Sequence, residues 1–315
     1  MAGEQAKQTE LPATGGILAS PLLWKLALAG AALIWGFSFS VMKDVVETVP
    51  TFQLLAIRFL GATLITFVVC HRSVAAHLDV KTVGAGLAMG VFEWAAYSLQ
   101  TFGIAETTAG KSAFLTGVYC VLVPFISYFM CGEKLTRYNV GAAALCLAGV
   151  GFVALDNLTI SQGDLFSLGS AVFYALQLAM AAKYGRTQNV NAMTFWMLAT
   201  MGVLSVAGCA ATEDPLGLSA FTPQLVVSLV FLSVICTCLL TFVMNIGLTR
   251  VSASAGSLLL SLESPSGVLF SVLLTGETLS ARLLVGFALI FCSIVLSETH
   301  FDFLRGLLPQ RRAKG

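Results

Sequence analysis

The sequence predicts an all-α polytopic membrane protein, with ten transmembrane helices arranged as a five-plus-five inverted-topology repeat. Three observations carry that prediction. Hydrophobic residues make up 57% of the 315 residues and charged residues only 10%, with a mean hydropathy of +0.88. A soluble domain carries roughly 25% charged residues, so this chain could not cover a water-facing surface. The apolar residues fall into runs of about twenty, the length of a helix across a bilayer, without the two-residue alternation of a transmembrane barrel. The third observation is an internal echo: Gly276-Glu277-Thr278-Leu279-Ser280 repeats Gly132-Glu133-Lys134-Leu135-Thr136, 144 residues upstream.

Residues 1–21 are small and polar and read as a disordered cytoplasmic tail. The spans follow at 23–42, 52–70, 82–103, 109–130, 138–155, 164–182, 191–211, 223–246, 252–274 and 281–298. The first is long enough to cross and lacks the cleavage site of a signal peptide. The second carries Arg58, the third Glu93 near its middle, and the fourth Lys111 at its start and Pro124 inside. The ninth carries Glu263 and Pro265. Gly86 and Gly90 form a GxxxG pattern, which favours close helix packing within the monomer. Connections are short, and residues 300–315 form a basic cytoplasmic tail suited to an anionic leaflet.

Lys and Arg in the loops orient the chain. With the N-terminus inside, 13 of the 17 Lys and Arg residues lie on the cytoplasmic side. Lys43, Lys111 and Arg282 lie outside and Arg58 within a span. Both termini are therefore expected in the cytoplasm of a cell whose inner or plasma membrane holds the protein. Residues 22–155 form one five-span repeat and 156–299 the other. Five is odd, so the second copy enters the membrane upside down, an arrangement typical of secondary transporters with a midplane site.

Four segments, AALIWGFSFSVMK (31–43), LLAIRFLGATLI (54–65), GEKLTRYNVGAAALCLAGVGFVAL (132–155) and GETLSARLLVGFALIFCSIVLSE (276–298), resemble the tandem EamA domains of the drug/metabolite transporter superfamily. The resemblance covers nearly the whole chain between the tails. It implies ten helices in a five-plus-five inverted repeat and export, in some members uptake, of small metabolites. It leaves the substrate open among amino acids, nucleosides, sugars and drugs.

Charges inside a span cost about 2.5–3.5 kcal/mol at the helix centre on insertion scales, so Glu93 and Glu263 are the first candidates for substrate binding or proton coupling. The bland alternative is a structural ion pair of Glu93 with Arg58 or Lys111. Helical spacing sets Glu93, Tyr97 and Gln100 on one face of the third span. The same spacing groups Trp35, Ser38, Phe39 and Met42 on the first, Thr116, Tyr119 and Cys120 on the fourth, and Tyr174 and Gln177 on the sixth. The 144-residue offset makes Glu263 the counterpart of Tyr119. The expected cavity is aromatic and weakly polar, lined by Trp35, Glu93, Tyr97, Gln100, Tyr119, Tyr174, Gln177 and Glu263. Pro124 and Pro265 each remove a backbone donor and free a carbonyl four residues back, at Cys120 and Ser261, as candidate flexing points. Glu133 and Glu277 read as loop-ordering or capping groups.

Other chemistries find no footing. Eight cysteines lie in or beside apolar spans without CxxC spacing, and three histidines sit at span ends, so no metal or cofactor is expected. No Ser/His/Asp set or phosphate-binding glycine loop marks an enzyme or calls for a nucleotide-binding subunit. A net charge of +1 gives nucleic acid nothing to hold. The expected function is a secondary transporter, an exporter of an amino acid or related amphipathic metabolite, with a proton as candidate coupling ion. The expected partners are that small molecule and the lipid bilayer. The rivals are a membrane-embedded lipid- or isoprenoid-modifying enzyme and a helical scaffold or accessory subunit.

Overall fold

The computed structural model describes residues 20–132, 134–156, 159–185, 187–250 and 259–299. Residues 1–19 and 300–315, Glu133 and the opening of the ninth span lie outside them. Pro21, assigned to the tail by sequence, begins the first helix, where its missing N–H has no intrahelical partner to lose.

The chain folds as α1 (Pro21–Val46), α2 (Thr51–Ala76), α3 (Val80–Glu106), α4 (Ala109–Gly117), α5 (Tyr119–Cys131) and α6 (Arg137–Ala154). After a small hairpin come α7 (Gln162–Tyr184), α8 (Val190–Thr212), α9 (Pro223–Val230), a π-helical stretch Phe231–Leu239 and α10 (Leu240–Arg250). α11 (Glu263–Phe270) runs into a second π-helical turn, Ser271–Thr275, and α12 (Ala281–Thr299) closes the chain. The hairpin amends the all-helical expectation: β1 (Leu155–Asp156) pairs antiparallel with β2 (Thr159–Ile160), Leu155 opposite Ile160, at the junction of the two halves.

Side-chain caps start several helices by satisfying the otherwise unpaired N–H groups of the first turn. Asp79 accepts from the Thr82 amide at 3.0 Å, Thr108 from Lys111 at 3.2 Å, Ser161 from Asp164 at 3.1 Å and Asn189 from Ala192 at 3.0 Å. The hydrogen bonds from the Thr82 amide and hydroxyl hold the Asp79 carboxyl below its ordinary range.

Seven stretches among the described residues are long and apolar enough to cross a membrane: Leu22–Val46, Thr51–Ala76, Ala109–Met130, Arg137–Ala154, Gln162–Tyr184, Val190–Thr212 and Pro223–Met244. Val80–Glu106 is the longest helix at 27 residues but a more polar one, because it carries Glu93, Ser98, Gln100 and Thr101. Ala281–Ser297 is apolar and shorter. The ninth expected span is described only from residue 259.

Small residues let the helices approach closely. On α3, Gly86 lies against Met193 and Trp196 of α8 and Gly90 against Met197 and Thr200, so the GxxxG packs within the monomer. Gly149 and Gly286 face each other where α6 crosses α12, while Gly36 of α1 and Gly117 of α4 admit Ser266 and Ser264 of α11. α2 packs along α8, α3 along α7 and α8, and α11 between α1 and α4.

Two irregularities recur 144 residues apart. The fourth span, expected as one helix, is interrupted at Val118, and the ninth is interrupted at Ser261–Leu262 before α11 begins. Pro265 therefore stands in the first turn of a new helix, where its lost donor removes no hydrogen bond. That corrects the sequence reading of Pro265 as a defect in mid-helix; Pro124 does lie inside α5. The second recurrence is at the C-caps. Gly132 and Gly276 are the positive-φ glycines among the described residues, at 70° and 67°.

A left-handed backbone costs a residue with a Cβ about 1–2 kcal/mol, and a β-branched one more. Gly276→Val should lower the melting temperature in detergent, whereas Gly276→Asn, which tolerates that region, should retain most of the stability.

Candidate functional site

Polar residues converge where α2, α3 and the π-helical stretch Phe231–Leu239 meet. Arg58 of α2 is buried at 2% exposure. Its guanidinium lies 4.6 Å from the centroid of the Tyr97 ring and 5.7 Å from that of Phe59. Nε donates to the Thr237 hydroxyl at 2.6 Å, and Nη1 reaches the Met42 sulfur at 3.7 Å. Ser233 donates to the Arg58 carbonyl at 2.8 Å, and Thr237 to the Leu232 carbonyl at 2.9 Å. The π-helical spacing also presents the Cys236 carbonyl to Trp35 of α1, whose indole Nε1 donates to it at 2.8 Å.

Tyr97 begins an aromatic chain. Its ring meets Tyr174 of α7 edge-on at 5.4 Å, and Tyr174 meets Tyr119 at 6.0 Å. The Tyr174 hydroxyl donates to Gln100 Oε1 at 3.1 Å, and Gln100 Nε2 approaches the Thr116 hydroxyl at 3.5 Å. These contacts bind α3, α4 and α7 around one face.

Tyr119 is the first residue of α5 and Glu263 the first of α11, so each break presents the equivalent position of its copy at a fresh helix start. α11 is pinned there by Ser264, which donates to the Ala113 carbonyl at 3.2 Å, and by Ser266, which reaches the Ala32 carbonyl at 3.3 Å. Glu93 lies midway along α3, one turn before Tyr97 on the same helix.

The ion-pair alternative for Glu93 does not hold. The single ion pair among the described residues joins Lys111 to Asp164, Nζ to Oδ2 at 2.6 Å. Glu93 Oε2 is buried without a hydrogen-bond partner. Trp35, Glu93, Tyr97, Tyr119, Tyr174 and Glu263 each keep partial exposure, while Arg58, Gln100 and Thr116 around them are buried. Gln177 does not join them: its amide reaches the Met197 sulfur of α8 at 3.6 Å, among Met180 and Met193.

Sequence reasoning missed the polar column that closes one end of this region. Asp164, 0% exposed, binds Lys111 and also accepts from the Thr107 hydroxyl at 2.8 Å. Below it Ser112 meets Ser167 at 3.0 Å and Thr116 meets Ser170 at 3.3 Å, leading to Gln100. Lys43 caps α3 at the same end, donating to the Ile104 and Ala105 carbonyls, each at 3.0 Å. One signal was available: Ser161-x-x-Asp164 is the pattern that opens a capped helix. Glu277 clamps the start of α4, accepting from Thr108 Oγ1 at 2.5 Å, from the Gly110 amide at 3.1 Å and from Ser271. That is the ordering role its motif suggested.

Chemically, these elements carry two carboxylates, one guanidinium engaged at Nε and Nη1, and four aromatic side chains. No group of three or more metal-ligating side chains is present among the described residues.

Comparison with known proteins shows the family of the chain. The model of the EamA-like transporter family matches twice, over residues 22–155 and 161–299. An "Uncharacterized transporter" of Archaeoglobus fulgidus is 28% identical over 86% of this chain and 84% of its own length. In Bacillus subtilis, "Uncharacterized transporter YoaV" is 23% identical over 88% of this chain and 97% of its own. A solved crystal structure superposes with a TM-score of 0.65 at 18% identity, over 91% of this chain and 99% of that one, a likeness of fold alone.

The Lys111–Asp164 pair yields a test. Removing one partner of a buried pair strands the other charge, at about 3–5 kcal/mol. Lys111→Met should therefore lower the thermal stability of the purified protein sharply, and adding Asp164→Leu should recover most of the loss.

Proposed function

The chain belongs to the EamA-like transporter family, and on that premise we propose a secondary carrier that moves a small organic metabolite outward by alternating access. The observation that carries this reading is the Glu93 carboxylate, midway along α3, with Oε2 buried and unpartnered. An intramembrane charge without a structural partner is costly to keep and marks a substrate or ion pathway. Trp35, Tyr97, Gln100, Tyr119 and Tyr174 supply the amphipathic wall that an amino acid or related compound requires. A proton is the coupling ion, carried on Glu93 or Glu263, since a carboxylate in a sheltered site can exchange a proton as access alternates.

The repeat supports the alternating part. Each family match covers five expected spans, 22–155 and 156–299 forming the two units, and an odd number inverts the second. α2 packs on α8 and α6 on α12, which pairs corresponding spans of the two units and supports this arrangement. The breaks at Val118 and Leu262, with Pro124 in the following helix, are the flexing points. The Lys and Arg distribution sets both termini in the cytoplasm, with the protein in the cell membrane and the Lys111–Asp164 end outside.

Proteoliposomes loaded with a pH-sensitive dye should report proton movement when a panel of amino acids, nucleosides and organic cations is added. At least one compound should drive it, and Glu93→Gln and Glu263→Gln should each reduce the flux and flatten its pH dependence. Folded Gln variants with unchanged flux and pH profile would remove both residues from the mechanism. Silence of the whole panel would sink the carrier reading.

A further inference from the structure

At the Lys111–Asp164 end the two family-matched units are joined through Asp164, Glu213 and Glu277, all of the second unit. Asp164 accepts from Lys111 Nζ at 2.6 Å and from the Thr107 hydroxyl at 2.8 Å. Glu277 accepts from the Thr108 hydroxyl at 2.5 Å and the Gly110 amide at 3.1 Å. Glu213, at the C-cap of α8, accepts from the Phe52 amide at 2.8 Å and the Gln53 amide at 2.9 Å, one on each oxygen. Each of these donors lies in the first unit. Glu213 thereby supplies the cap that Pro50, ahead of α2, has no side-chain group to give. Gln53 and Leu216 add a reciprocal pair of bonds, at 2.8 and 3.2 Å. The Phe52 ring stacks on Trp94 at 5.8 Å, and Phe102 meets Phe166 of the second unit at 5.9 Å. The other end of the α2–α8 pair is tied by neutral groups. There Ser73, near the end of α2, donates to the Asn189 side chain at the start of α8, at 2.8 Å, and Thr82 donates to Gln188 at 2.8 Å. The end of α2 offers a hydroxyl where the end of α8 offers a carboxylate.

We propose that the Lys111–Asp164 end is the closed gate of the carrier and that Asp164, Glu213 and Glu277 are its latch, an inference that rests on the carrier reading. Hydrogen bonds to an ionised group are roughly twice as strong as neutral ones, and a carboxylate at a helix N-terminus also gains from the helix dipole. Glu213 and Glu277 take both advantages, at the starts of α2 and α4. Opening this end parts the carboxylates of one unit from the donors of the other, so these bonds exist in one state of the cycle and not in the other. Contacts that differ between two states set the balance between them. Glu213 and Glu277 are partly exposed, so water takes over their bonds when the units part.

Hydrogen–deuterium exchange of the full chain in lipid nanodiscs, read by mass spectrometry, tests this on Glu213→Gln and Glu277→Gln. Each variant should speed exchange at the starts of both α2 and α4 by about threefold or more, a factor typical of one lost hydrogen bond. Each should also slow exchange at the opposite end, over the end of α2 and the start of α8. A cap that served only its own helix would speed exchange in that helix's first turn and leave the far end unchanged, and that result overturns the latch. Faster exchange at both ends, or no change at either, overturns it too. Should one variant fail to fold, the other decides alone. Loss of folding in both overturns the proposal, since a latch is dispensable to the fold. A chain that drives flux in proteoliposomes yet shows only local changes in exchange remains a carrier and loses only the latch.

Discussion

A guanidinium held inside a bundle of apolar helices has to be answered by the protein itself, because the hydrocarbon around it offers neither charge nor hydrogen bond. Arg58 is that group, and much of the interior is arranged to meet it. The π-helical stretch Phe231–Leu239 places Thr237 at its Nε and Ser233 at its carbonyl; α1 contributes the Met42 sulfur and α3 the face of Tyr97. Three elements are thereby tied to one residue of α2, and none of the ties is a carboxylate. An ion pair would have cancelled Arg58 and Glu93 against each other. A cation–π contact holds the arginine in place and leaves the glutamate's Oε2 unpartnered.

The packing that surrounds this centre follows from a second constraint. Helices in lipid gain little from burying apolar side chains against one another, so close approach and internal hydrogen bonds have to hold them. The glycines on α1, α3, α4, α6 and α12 do the first. The serines and threonines do the second, in the column from Lys111–Asp164 through Ser112–Ser167 and Thr116–Ser170 to Gln100. The column closes the α4–α7 seam on one side of Tyr174, and the aromatic chain continues from there to Tyr97.

What could be read from the sequence was what repeats or what is local. Gly132 and Gly276 announce themselves as a pair, and both adopt the left-handed cap that only glycine takes without strain. The offset that pairs Tyr119 with Glu263 returns as two helix starts after matching breaks. Glu93, Tyr97 and Gln100 share a face because the helical period demands it. What could not be read depends on contacts between distant residues. Lys111 finds Asp164 across 53 positions, and no local pattern names that partner. Gln177 was grouped with Tyr174 by spacing alone. A helix face is wide enough for i and i+3 to meet different neighbours, and Gln177 turns to Met197. Pro265 was placed in mid-helix because the break at Leu262 comes from how α11 seats between α1 and α4. The π-helical stretch has no sequence signature at all.

The two family-matched halves share a helix break and a glycine C-cap, and they differ in charge at the residue that follows the break. Where the first copy starts its second half-helix with Tyr119, the other starts with Glu263. A tyrosine there completes an aromatic wall; a glutamate there adds a charge. Two like copies would have produced a neutral, symmetric seam or a doubly acidic one. The unlike pair gives one half-helix an aromatic start and the other an acidic one. The fold rests on what the copies share, and the proposed carrier reading draws on where they differ.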